Sequence, residues 1–96
     1  MQLNWTELAV QDLDHVESYT PEEGGPSAAI DLVIRIIDLT EKILLQYPDA
    51  GRSGRVAGTR ELVITGASFI VIYRDLSRLR QLQVLRIFHD ARKWPA

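Results

Sequence analysis

The run Phe69-Ile70-Val71-Ile72-Tyr73 constrains this chain more than any other feature. Five consecutive apolar residues, three of them β-branched, are too few to span a bilayer and read as a strand when turn residues bound them. Polar residues do not alternate along the run, so it is expected to be a central strand covered on both faces. Its neighbours have strand character too. Arg60 to Thr65 precedes a turn at Gly66-Ala67, the central strand runs from Ser68 to Asp75, and a polar turn around Ser77 to Arg80 leads into Gln81 to His89. That order predicts an antiparallel meander.

The first half supplies the layer that covers it. Leu3 and Trp5 alternate with Gln2 and Asn4 as a short N-terminal strand, and Thr6 is placed to cap a helix whose apolar stripe is Ala9, Leu13, Val16 and Tyr19. Pro21 to Pro26 breaks that helix. A second helix is predicted from Ser27 to Tyr47, ended by Pro48. Asp31, Arg35, Asp38 and Lys42 form its wet stripe, and Ile30, Val33, Ile34, Ile37, Ile43 and Leu44 a broad apolar face. Asp49 to Gly58 reads as a loop. The expected fold is α+β: one domain over 1–96, with an N-terminal strand and a two-helix hairpin packed on the meander. A hairpin covers one face of the central strand. The C-terminal tail or a partner protein is expected to cover the other.

Charge is divided along the chain. Residues 1 to 50 hold ten acids and two bases, and residues 51 to 96 hold nine bases, eight of them arginine, and three acids. Arginine's planar fork suits carboxylate and phosphate, so an anionic partner is expected. With no cysteine there is no disulfide framework, thiolate zinc site or cysteine nucleophile. His15 and His89, the two histidines, lack a second strong ligand at usual spacing, so neither metal nor cofactor is expected; Asp12 and His15, three apart, read as exposed polar residues. The glycine-rich stretch Gly51 to Gly58 lacks the lysine and hydroxyl of a phosphate loop. The N-terminus has no signal-like segment, so a cytoplasmic protein without a membrane span is expected.

The densest constellation is Arg86-Ile87-Phe88-His89-Asp90-Ala91-Arg92-Lys93-Trp94. Simple alternation puts Leu85, Ile87 and His89 on one strand face and Val84, Arg86 and Phe88 on the other. A histidine among arginines could serve as a general base, with the cations stabilising a developing phosphorane, or it could pin the tail to the sheet.

Pro48-x-x-Gly51-Arg52, Gly58-Thr59-Arg60-Glu61-Leu62, Tyr73-Arg74 and Arg86-x-x-His89-x-x-Arg92-x-Trp94, in that order after two helices, resemble the RelE/ParE family of toxins. The likeness covers essentially the whole chain. It implies a type II toxin neutralised by a cognate antitoxin, with operator DNA contacted only through the antitoxin. It also implies one of two targets: DNA gyrase in the ParE-like branch, or mRNA on the ribosome in the RelE-like branch of endoribonucleases. Ile70 stands after Phe69 where the nucleases usually carry an arginine, and lysines are few, which favours the ParE-like branch. Were the chain a nuclease, His89, Arg92, Arg60 and Arg74 would form its catalytic set. As a binding toxin, it would meet antitoxin or target through Arg60, Arg74, Arg86, Arg92, Lys93 and Trp94.

Overall fold

The computed structural model describes residues 1–16, 25–64 and 69–89, the side chains of 25–27 excepted. In chain order these form β1 (Gln2–Trp5), α1 (Glu7–Asp14), α2 (Gly25–Gln46), β2 (Arg52–Ser53), β3 (Arg60–Ile64), β4 (Phe69–Leu76), a 3-10 turn (Ser77–Leu79) and β5 (Gln81–Phe88). The expected α+β layering is present, and β3, β4 and β5 form the meander. The sheet order is β1-β5-β4-β3-β2. β1 runs parallel to β5, pairing Gln2 with Gln81 through Trp5 with Val84, so the sheet is mixed rather than wholly antiparallel. β2 is a further addition: Arg52 and Ser53 pair with Glu61 and Arg60 inside the stretch expected to be loop.

Thr6 acts as expected and does more. Its Oγ1 accepts from the Ala9 N–H at 3.2 Å, capping α1, and donates to the Leu85 carbonyl at 2.9 Å, tying the helix start to β5. Ala9 and Val16 of the predicted stripe are fully buried and Leu13 packs against the core. α2 takes in Gly25 and Pro26 from the expected Pro21 to Pro26 break and so starts two residues before the expected Ser27; Tyr19, the rest of that break and the Gly66-Ala67 turn lie outside the described residues.

The central strand meets its expectation, with Phe69, Ile70, Val71, Ile72 and Tyr73 all buried. Phe69, Val71 and Tyr73 join Leu62, Ile64, Leu82, Val84 and Ile87 under Ile36 and Leu44 of α2. Each fully buried side chain of this size contributes about 1.5–3 kcal/mol. α2 presents a narrower stripe than expected. Asp31, Arg35, Asp38 and Lys42 are exposed as predicted, but so are Ile30 (59%) and Ile34 (51%). At about 100° per residue Ile34 lies some 160° around the helix from Ile36, so the two cannot share a face.

A β-bulge corrects the expected alternation of β5. Ile72 pairs with Arg86 and Tyr73 with Val84, leaving Leu85 as the extra residue. Val84 and Ile87 therefore both enter the main core, while Leu85 and Phe88 pack with Ile70 and Ile72 on the opposite face. On that face Ile70 and Ile72 pack beside Leu85 and Phe88 of the neighbouring strand. The tail from residue 90 onward lies outside the described residues.

Candidate functional site

Three of the recurring motifs converge at one end of the sheet. Pro48 ends α2, and its carbonyl accepts from the Tyr73 hydroxyl at 2.8 Å; the same Oη accepts from the Gly51 N–H at 2.8 Å. Gly51 is needed there because a Cβ would lie 2.7 Å from Tyr73 Cε1 and 2.8 Å from its Oη. The Gly51 carbonyl in turn accepts from Arg60 Nη1 at 2.8 Å. One strand over, the Glu61 carboxylate, on a residue only 2% exposed, accepts from Arg52 Nη2 at 3.0 Å, Arg52 Nε at 3.3 Å and the Arg55 N–H at 3.0 Å. Pro48, Gly51, Arg52, Arg60, Glu61 and Tyr73 thus form a single knot joining the end of α2 to three strands.

The electrostatics suit holding rather than reacting. Burial would raise the Glu61 carboxyl, but the Arg55 N–H and the Arg52 side chain outweigh it and hold the group below its ordinary value. The Tyr73 phenol is pushed up, chiefly by burial, with the Gly51 N–H and Arg60 acting in the other direction. Tyr73 therefore stays neutral near pH 7 and provides one donor and one acceptor to the backbone.

Arg86 is committed elsewhere. Its Nε donates to Asp12 Oδ2 at 2.9 Å and its Nη2 to Oδ1 at 3.1 Å, while its guanidinium lies 4.7 Å from the centre of the Phe88 ring. The hydrogen bonds it donates to Asp12, against a smaller opposing effect of burial, hold it firmly charged. The same Asp12 Oδ2 accepts from the Ile87 N–H at 2.8 Å, beyond the last residue that β1 pairs. Asp12, expected to be an exposed polar residue, is instead the clasp between α1 and β5.

His89 is half-buried and meets the Phe69 ring edge-on, with centroids 5.2 Å apart and planes at 71°. Phe69 and Tyr73 are four residues apart on β4, about 13 Å at strand rise. Arg60, opposite Tyr73, and His89, beside Phe69, therefore stand at opposite ends of the sheet. Arg74 is exposed on the β4 face away from Tyr73. Of the expected site residues the structure brings Arg60 into the knot, pairs Arg86 with Asp12, and separates His89 from both Arg60 and Arg74. Arg92, Lys93 and Trp94 lie outside the described residues. Glu61, Tyr73 and Asp12 were not foreseen as organising residues; the signal available was two ionisable residues and a tyrosine inside otherwise apolar or helical patterns.

Among the described residues, cavities open at two places. A cavity of about 230 Å³ between the helices is lined by Leu13, Asp14, Ala29, Ile30, Val33 and Ile34. At the knot end, a polar cavity of about 430 Å³ runs from Ser53 and Thr59 to Arg60 and Asp75; a second of about 430 Å³, mostly apolar, continues from Asp75 along Leu76 to Leu79. Among the described residues no helix is long and apolar enough to cross a membrane.

Residues 3–94 match the family model described as the ParE toxin of the type II toxin-antitoxin system, parDE. A protein of Sinorhizobium fredii named "Putative toxin Y4kP" is 36% identical over 94 residues, covering 98% of this chain and 93% of its relative. A solved structure from the chromosomal ParDE toxin-antitoxin system of P. aeruginosa superposes with a TM-score of 0.78 at 32% identity, covering 91% of this chain and 92% of that one. The isolated RelE toxin of E. coli shares the fold, with a TM-score of 0.57 at 12% identity over 96% of this chain and 86% of that one.

Proposed function

Because the chain belongs to the family of ParE toxins of type II toxin-antitoxin systems, we propose that it arrests growth by binding DNA gyrase. As the toxin of such a system it has a cognate antitoxin as its partner. The observation that carries the gyrase reading is the separation of His89 from Arg60 and Arg74 along β4. A phosphate-cleaving site needs its base and its charge-stabilising cations within reach of the same few atoms. Arg60 donates to the Gly51 carbonyl within the knot, and on this reading the toxin acts by surface contact in the cytoplasm, where no catalytic set is needed.

The antitoxin is assigned to the groove between the helices. Exposed Ile30 and Ile34 beside Leu13 and Val33 suit the apolar face of a segment that folds on binding. Among the expected contact residues Arg74 is exposed at the other end of the sheet and is left for the target rather than the antitoxin. Operator DNA is met through the antitoxin.

Induction of the chain in growing cells tests the reading. DNA synthesis and a DNA-damage response should change before protein synthesis does, and co-expressed antitoxin should prevent both. Protein synthesis stopping first, with mRNA cut at ribosomes, would favour the endoribonuclease alternative.

A further inference from the structure

We infer that the basic end of the sheet, centred on the turn Arg78-Leu79-Arg80, is the surface that grips an acidic, apolar-tipped segment of gyrase, separate from the antitoxin groove; this rests on the gyrase reading above. Residues 49–62 and 73–81 hold six arginines against Asp49, Glu61 and Asp75. Two of those acids are used internally: Glu61 is taken by Arg52 and the Arg55 N–H, and Asp75 Oδ1 accepts from the Ser77 N–H and hydroxyl. Arg74, Arg78 and Arg80 are exposed and form no ion pair among the described residues. Their charge is left for a partner's carboxylates, which arginine's fork binds in two-point fashion.

Leu79 stands between two of these cations and is 67% exposed, and the apolar cavity of about 430 Å³ beside it runs back to Leu76. A concave apolar site next to cations fits a protein side chain flanked by acids. A phosphate backbone would use the arginines but not the cavity.

The turn is held ready. The Arg80 N–H donates to the Ser77 carbonyl at 2.9 Å, and the Arg80 carbonyl accepts from the Gln2 N–H at 3.0 Å. Arg80 itself has φ 57°, in the left-handed region where glycine sits with less strain. Arg80 closes the 3-10 turn in this conformation with its side chain exposed, which motivates a role for the guanidinium in contact with a partner. The antitoxin groove is remote: Ile34 to Gln46 at the knot end of α2 is about 18 Å of helix.

The test uses purified full-length toxin and measures binding to gyrase, to the cognate antitoxin and to a short DNA duplex for wild type, Arg78→Glu and Arg80→Gly. Arg80→Gly relieves the backbone, so its melting temperature should hold or rise. Both variants should bind gyrase at least about tenfold more weakly, as expected for central contact residues, and antitoxin unchanged. Gyrase binding equal to wild type overturns the assignment. So does a loss confined to the duplex, which would make this a nucleic-acid surface, or a loss of antitoxin binding, which would make it the antitoxin's. Wild-type protein that fails to bind gyrase contradicts the gyrase reading itself.

Discussion

Asp12 on α1 and Arg86 on β5, seventy-four residues apart, form a two-point ion pair at 2.9 and 3.1 Å, and the same carboxylate closes the open edge of β5 by accepting the Ile87 N–H. The side chains are 15% and 25% exposed, so water replaces this contact poorly. The clasp is what seats the first helix against the last strand.

Asp12→Ala should therefore lower stability by about 2 kcal/mol, since it leaves a partly buried guanidinium and a backbone N–H without an acceptor. Urea denaturation measures it. A midpoint unchanged from wild type would show that α1 is seated by Ala9 and Val16 alone.

Tyr73→Phe removes both hydrogen bonds of the hydroxyl and strands the buried Gly51 N–H. We expect a loss of about 1–3 kcal/mol, with amide exchange at Gly51 rising more than at Val71 in mid-strand. Equal protection at the two positions in the variant would contradict the knot.

Glu61 supplies a pH dependence. Its folded pKa lies below the ordinary 4.5, so the stabilisation it provides is fully present above that value and is lost as pH falls through the folded pKa. Glu61→Gln should be less stable than wild type at neutral pH, and the two urea midpoints should converge in acid. A gap that stays constant with pH would mean that the charge on Glu61 contributes nothing.

Thr40 is fully buried and its Oγ1 finds no hydrogen-bond partner among the described residues. Thr40→Val keeps the shape and removes the desolvated hydroxyl, so it should raise stability by about 1 kcal/mol and the melting temperature by roughly 4–8 °C. A fall would reveal a partner for the hydroxyl.

The layers were legible because they rest on local rules: the Thr6 cap, the wet stripe of α2, Pro48 as a stop and the apolar run of β4. Apolar character alone does not fix angular position, and Ile30 and Ile34 fall outside the core stripe of α2. The parallel pairing of β1 with β5 and the two-residue β2 depend on contacts distant in sequence, which no local pattern encodes. The bulge at Leu85 is similar: one extra residue reverses which side chains enter the core, and nothing in the sequence of β5 marks it. At the site, the motifs were recognised as a set but not as a knot, because Gly51 and Tyr73 meet across 22 residues and Asp12 and Arg86 across 74. Arginines that looked available for a partner, at 60 and 86, were already engaged within the fold.

We propose that this toxin acts on gyrase by binding, with His89 outside any catalytic set. The most direct test is incubation of antitoxin-free wild type and His89→Ala with gyrase, ATP and supercoiled plasmid, scoring linear DNA after protease treatment. Linear DNA that depends on the toxin and persists with His89→Ala is the predicted result. No cleaved DNA from a demonstrably folded wild type, together with ribosome-dependent mRNA cutting that His89→Ala abolishes, would contradict it.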